Sequence, residues 1–272
     1  MAGLFGFFNF EKEGPGVSKN APEKKGFFKF FELYFRNFGK FFSLNFVTTL
    51  LSLPLLTNGL AAVGMTNVTR NIARDKHSFG LSDYFETIKK NWKQGLAVGI
   101  INVIVYAILF ADLYFFYAVE DQTLGVVGLG LSFSVFIVYT IMNFYIWTLM
   151  ITFNYTLGQL FKNSFKFVFI NFFKNLLFLF LTALIYVVYV VFALGFSGYL
   201  FYVLALEFII YALTFPAFWH LMIQFCVFPP IKQYIIDPYY KMHPDADIEK
   251  RRELGLEIEQ DEDNEEDEEE DD

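Results

Sequence analysis

A chain of 272 residues that is 55% hydrophobic and 21% aromatic, with 38 Phe and a mean hydropathy of +0.40, is too apolar for an ordinary soluble domain. Its net charge of −8 joins an acidic end, 17 carboxylates against Lys250, Arg251 and Arg252 from Asp245 onward, to a remainder with 18 cations and 12 acids. The one cysteine, Cys226, excludes an intramolecular disulfide framework and a CxxC metal or redox site.

The segment 1–36 is no signal peptide, because Phe5, Phe7, Phe8 and Phe10 give way to Glu11, Lys12 and Glu13 before an apolar run develops. A helical membrane domain is predicted over 37–230. Its first apolar region, Phe41–Gly64, reads either as one crossing, which gives five in all, or as a hairpin. Pro54 removes a backbone donor and Asn58-Gly59 is a turn signal. The hairpin reading sends residues 37–53 out, turns at Pro54–Gly59 and returns a helix from Leu60 to about Arg74. Ala61, Met65, Val68 and Ile72 share one face of the return helix, while Thr66, Asn67 and Arg70 fall elsewhere. Such a helix packs inside a bundle or re-enters without crossing.

Leu81, Phe85, Ile88 and Trp92, flanked by Lys89, Lys90 and Lys93, predict a short helix lying in the inner interface. Four later runs, Leu96–Val119, Leu124–Phe153, Leu176–Leu194 and Tyr199–Phe228, are long enough to cross about 30 Å of hydrocarbon. Gly95 and Gly99 form a small-xxx-small face suited to close helix packing. With the first region taken as a hairpin, all 21 basic residues fall on one side, and the connections Pro54–Gly59, Glu120–Leu124 and Gly195–Gly198 carry none. Cytoplasmic loops collect Lys and Arg. The expected fold is therefore all-α: a polytopic helical membrane protein of about six helices in three hairpins, in the cell membrane, with both termini cytoplasmic. The segment 231–272 would be cytoplasmic, with a disordered acidic tail from about 245 that is either solvated or meets a basic partner.

Three strings, Asn37-Phe38-Gly39-Lys40, Asn91-Trp92-Lys93-Gln94 and Asn171-Phe172-Phe173-Lys174, each lead into an outward run. They read as a threefold repeat or as aromatic and Lys anchors at the interface.

Gly14-Pro15-Gly16-Val17, Lys19-Asn20-Ala21-Pro22, the run Leu51-Ser52-Leu53-Pro54-Leu55-Leu56-Thr57-Asn58-Gly59, Asn91-Trp92-Lys93-Gln94 and Asp112-Leu113-Tyr114 resemble the YesL family. These are small membrane proteins of Gram-positive bacteria whose molecular function is unassigned. The resemblance runs from Gly14 to about Phe116. It implies a place near carbohydrate ABC-type uptake, with subunits of such an importer as partners; the acidic tail is a departure from the family.

Asp112 and Glu207 are the acids within the spans, roughly 10 and 12 Å inside the outer ends of their helices. Intramembrane acids are functional candidates; here they form either a polar pocket opening outward or protonated, hydrogen-bonded structural groups. Pro54, Asn58 and Gly59 are the candidate structural turn. His220 reads as an interfacial hydrogen-bonding group, and His77 and His243 lack metal-ligand spacing. Asn45, Asn102, Asn143 and Asn154 are candidates for bonds between helices. No nucleotide, protease or hydrolase motif occurs, so neither enzyme activity nor a cofactor or metal is expected, and the negative tail disfavours nucleic acid. Two functions stay open: an accessory or scaffolding component of carbohydrate uptake, or a small stand-alone transporter or channel using Asp112 and Glu207. A reporter fused to the C-terminus is expected to read as cytoplasmic; an external signal would sink this topology.

Overall fold

The computed structural model describes residues 26–195 and 199–243, so the expectations for the N-terminal 25 residues and the acidic tail lie outside the described residues. Among these residues there is no strand. A first group of short helices, α1 (Phe27–Arg36), α2 (Phe38–Ser52) and α3 (Asn58–Ala73), precedes two long ones, α4 (Leu81–Ala118) and α5 (Gln122–Thr152). The short α6 (Leu157–Ile170) leads into α7 (Phe172–Gly195) and α8 (Leu200–Ile231). A π-helical turn, Lys232–Ile236, and α9 (Asp237–Met242) continue α8, with Ile236 and Tyr240 buried in the core.

Among the described residues, four helices are long and apolar enough to cross a membrane: α4, α5, α7 and the run from Phe201 in α8 to Met242. Much of their surface faces outward, as in Ile100, Ile104 and Ile108 on α4 and Leu177, Leu184 and Val188 on α7. Lipid is the natural neighbour for such faces. All-α membrane architecture is therefore observed, and the long helices number four.

The break in the first apolar region is present where Pro54 requires it. Pro54 is extended (φ −78°, ψ 109°) and a 3₁₀ turn, Leu55–Thr57, follows, closed by Thr57 N–H donating to Pro54 O at 2.8 Å. The turn is shorter than the Pro54–Gly59 expected. Asn58 is already helical (φ −55°, ψ −36°), and Gly59 lies in the first turn of α3. Gly59 serves packing instead: a Cβ there would come within 2.9 Å of Gly99 Cα, so α3 and α4 meet backbone to backbone at Gly59, Gly95 and Gly99. The small-residue face on α4 thus finds its partner on α3.

This contact also fixes how far the hairpin reaches. With 15 and 16 residues, α2 and α3 are about 22 and 24 Å long, short of about 30 Å of hydrocarbon. The hairpin tip meets α4 at Gly99, the middle of a 38-residue helix. Further back along the same pair of helices, Gly64 receives the Tyr84 ring, whose hydroxyl accepts a bond from Thr48 Oγ1 at 3.2 Å. The hairpin therefore lies beside the first half of α4, and the second half runs on for about 29 Å without it. As the mixed polarity of the return helix suggested, α3 is packed inside: Ala61, Val63, Met65, Val68 and Thr69 have no exposed surface.

Two local expectations change. The stripe Leu81, Phe85, Ile88 and Trp92 does not form a separate interfacial helix; it belongs to the first turns of α4, which run without a break into the apolar part, with Leu81, Phe85 and Trp92 exposed and Ile88 packed against the core. Helix α6 lies in what read as a connection. Its start is a capping box, Thr156 with Gln159, and Leu160, Ser164, Phe167 and Val168 form its buried stripe.

The three Asn strings mark equivalent places. Asn37 joins α1 to α2, Asn171 joins α6 to α7, and Asn91 sits inside continuous α4. Each precedes an outgoing helix, and α3, α5 and α8 return and pack on one another. Around them, α4 lies on α3, α6 on α5, and α1, α2 and α7 on α8.

The α2–α8 contact is built around Pro216. Proline has no N–H, so Ala212 O loses its helical donor; Thr49 Oγ1 donates to it at 3.3 Å. At the next rung the buried side-chain amide of Asn45 bridges the ladder, accepting from Ala217 N–H at 2.6 Å and donating to Leu213 O at 2.8 Å. Tyr34 of α1 donates to Thr214 O at 3.1 Å. Removing the amide by Asn45→Leu leaves two buried backbone groups short of partners, at about 1–3 kcal/mol each. The expected result is a clear fall in thermal stability in detergent, partly restored by Pro216→Ala, which gives the helix back its own donor. A neutral Asn45→Leu would refute this account.

Candidate functional site

The polar residues of α3 and α4 are spaced as two facing helical stripes. Asn67, Arg70, Asn71 and Arg74 follow i, i+3, i+4, i+7 on α3, and Asp83, Glu86, Thr87, Lys90 and Asn91 do the same on α4. Between them, closed at one end by the loop with Lys76, His77 and Phe79 and touched by Ile151 of α5, lies a cavity of about 470 Å³.

Its walls are fixed by hydrogen bonds. Asn67 Nδ2 donates to Thr87 Oγ1 at 2.8 Å, which joins the stripes. Arg70 donates to Thr152 Oγ1 at 2.9 Å and to Asn67 Oδ1 at 3.0 Å. That position, at the C-terminus of α5, suits a cation because the helix dipole is negative there. Arg74 donates to Asn71 Oδ1 at 3.3 Å and lies 5.2 Å from the Phe228 ring centre, within cation–π range. Asp83 accepts from Ser78 Oγ at 2.7 Å and from Phe79 N–H at 2.9 Å, and Gly80 takes the left-handed φ of 64° that turns the chain into α4. Glu86 pairs with Lys90 at 2.8 Å. Four cations, Arg70, Arg74, Lys76 and Lys90, and two carboxylates, Asp83 and Glu86, line the cavity.

The loop is clamped from outside by α1. Asp75, in left-handed conformation at φ 58°, receives Arg36 and, at 3.2 Å, Lys29; Lys40 donates to Ser78 O at 3.0 Å. Partial burial pushes the Asp75 carboxyl up, but Arg36 and Lys29 outweigh this and hold it below its ordinary value of 3.8.

The intramembrane acids lie elsewhere. Asp112 is exposed on the surface of α4, 13 residues or about 20 Å beyond Gly99. Glu207 is half-buried on α8, its Oε1 buried without a hydrogen-bond partner among the described residues. Their helices share no extensive interface: α4 packs on α3 and α5, and α8 on α2, α3, α5 and α7. Asn102 donates to Asn143 Oδ1 at 2.6 Å and accepts from the Tyr139 hydroxyl at 2.5 Å, binding α4 to α5. Asn45 bonds across helices as described, whereas Asn154 is exposed in the loop before α6 and joins no helices. His220 Nδ1 lies 2.9 Å from Pro216 O within α8, His77 lines the cavity edge against Phe79, and His243 is exposed.

The family described as "Protein of unknown function, DUF624" matches residues 41–113. This is the domain family to which YesL proteins belong. The matched segment contains α2 from Phe41, the Pro54 turn, α3 and most of α4, hence both polar stripes and the loop between them. No curated protein and no solved structure matches the chain.

The sign of the Asp75 linkage gives a pH expectation. A depressed carboxyl contributes stability above the unfolded value near 3.8 and loses it as pH falls through the folded one. Both partners are partly exposed, so the clamp is worth about 0.5–1 kcal/mol. Asp75→Asn is expected to lower the protection factors of α1 amides (observed exchange relative to the intrinsic rate at each pH) at pH 7 and to abolish their difference between pH 7 and pH 3. Unchanged exchange in α1 would mean that the clamp does not hold it.

Proposed function

We propose that the protein is a non-enzymatic accessory or scaffolding component of the cell membrane, with both termini cytoplasmic, working beside a carbohydrate ABC-type importer. One observation carries the preference for a scaffold over a carrier: the space between the three returning helices is filled with side chains. Val63, Met65, Ile146, Leu149 and Leu221 of these helices are fully buried. The importer as neighbour rests on the YesL-like strings alone, since the matched family is one of unknown function. An even number of long apolar helices, with Arg and Lys gathered at one end, supports the orientation.

The second reading, a stand-alone transporter or channel, draws on Glu207, an intramembrane acid whose Oε1 is buried without a hydrogen-bond partner among the described residues. Against it, Ala212 O and Leu213 O are already taken by Thr49 and Asn45, and Asp112 faces outward. Affinity purification of the tagged protein from its native membrane in mild detergent is expected to bring permease or ATPase subunits of one importer in stoichiometric amount. Asp112→Asn with Glu207→Gln should still complement a deletion fully. A protein that purifies alone, moves solute in liposomes and loses that flux in the double variant would decide for the transporter.

A further inference from the structure

Helix α6 folds back along the end of α5. Phe167 stacks on Tyr145 with ring centres 5.1 Å apart, and Tyr145 stands about 10 Å before the last residue of α5. At the same level Asn175 of α7 accepts from the Tyr145 hydroxyl at 2.7 Å and donates to Phe167 O at 3.0 Å. Counted inward from Gly195, about 30 Å of hydrocarbon takes up about 20 residues of α7 and ends beside Asn175. Helix α6 thus runs through the headgroup layer and ends at the edge of the hydrocarbon. Its exposed side carries two kinds of residue at one-turn spacing, Lys162 with Lys166 and Phe165 with Phe169. Exposed Phe173 and Lys174 continue both at the start of α7.

These lysines differ from the cations of the other helices at the basic end. In α1, Arg36 pairs with Glu32 and Asp75, and Lys29 with Asp75. In the first turns of α4, Lys90 pairs with Glu86. From Gln122 to Leu206, by contrast, the chain has no Asp or Glu. Among the described residues, Lys162, Lys166 and Lys174 enter no ion pair. We propose that this face of α6, with the start of α7, binds the headgroup of an anionic phospholipid of the inner leaflet. The three ammonium groups meet the phosphate, and Phe165, Phe169 and Phe173 lie against the upper acyl chains, the arrangement by which basic and aromatic residues hold a helix at an interface. Unanswered positive charge singles out an anion, and the depth of the exposed rings singles out a lipid. The proposal rests on the basic end facing the inner leaflet and is independent of the importer.

The test uses the full-length protein in nanodiscs of phosphatidylcholine mixed with phosphatidylglycerol, released into mild detergent and weighed by native mass spectrometry. The unmodified chain is expected to retain phosphatidylglycerol in preference to phosphatidylcholine. Lys162→Gln with Lys166→Gln should weaken that retention about tenfold or more. Lys89→Gln with Lys93→Gln removes the same charge from exposed positions of α4, one turn apart at the same end, and should change it less than about twofold. Absence of any preference for phosphatidylglycerol overturns the site. Equal weakening in the α4 variant overturns it too, by reducing the effect to general surface charge. Carbodiimide cross-linking in native membranes tests the other occupants. A cross-link from Lys162 or Lys166 to a carboxylate of another protein, or of this chain's own residues 261–272, gives the face to that partner and overturns the lipid assignment. Lys166→Gln alone, at an exposed position, repeats the test should the pair fail to fold. None of these readouts involves the importer, so the two proposals stand or fall separately.

Discussion

Unpaired backbone groups are not tolerated in hydrocarbon, and this constraint ties the first hairpin to the last long helix. Pro216 opens the ladder of α8, and Asn45 and Thr49 of α2 close it again. Neither element is complete alone: α2 is too short to span, and α8 without it would carry orphaned carbonyls. The junction holds α2 in place, α2 holds the Pro54 turn and α3, and α3 forms one wall of the cavity. A polar amide inserted into a broken ladder is worth more here than apolar packing of the same volume. Lipid tails compete equally well for apolar surface but cannot offer a hydrogen bond.

The half-depth of the hairpin explains the two faces of α4. Below Gly99, α4 is covered by α3 and carries Tyr84, Thr87 and Asn91 toward it. Above Gly99 that cover is gone, and Ile100, Ile104 and Ile108 stand one turn above another on the outside. The change from polar to apolar along a single helix therefore follows the end of its neighbour. It also makes the polar stripes of α3 and α4 affordable, because they lie at the charged end, where Arg70, Arg74 and Lys90 remain within reach of water and headgroups.

Much of this was legible in the sequence. Pro54 announced the break because a missing donor is a local property, and the periodic Ala61, Met65, Val68 and Ile72 announced a packed return helix. Gly95 and Gly99 announced a close approach without naming the partner, since the partner is a matter of topology. The reach of the hairpin was hidden for the same reason: only the meeting of Gly59 with Gly99 sets the level. Helix α6 was signalled by the Thr156–Gln159 box and a helical stripe, but the Lys residues on its other face made it read as a loop. The cavity had a signal too, two polar stripes at helical spacing separated by the short loop 74–80. Attention to intramembrane acids drew the eye to Asp112 and Glu207, single residues that the fold leaves on separate helices, and away from a constellation spread over two.

Restraint is unevenly distributed along the bundle. The middle is filled by fully buried Val63, Met65, Tyr145 and Leu221, and its polar groups are paired across helices, as in Asn102 with Asn143 and Thr148 with Gln224 at 3.0 Å. A close-packed interior with satisfied polar groups resists small displacements. The basic end is built differently: a cavity is kept open, its loop turns through Asp75 and Gly80 at positive φ, and its outer support is a half-exposed ion pair with α1. Contacts of that kind are weak and screened by salt, so the ion pair is what salt can loosen here, while buried Phe30, Leu33 and Tyr34 still hold α1 to the bundle. The weakest restraints and the concentrated charge among the described residues therefore coincide at this end, away from the close-packed core.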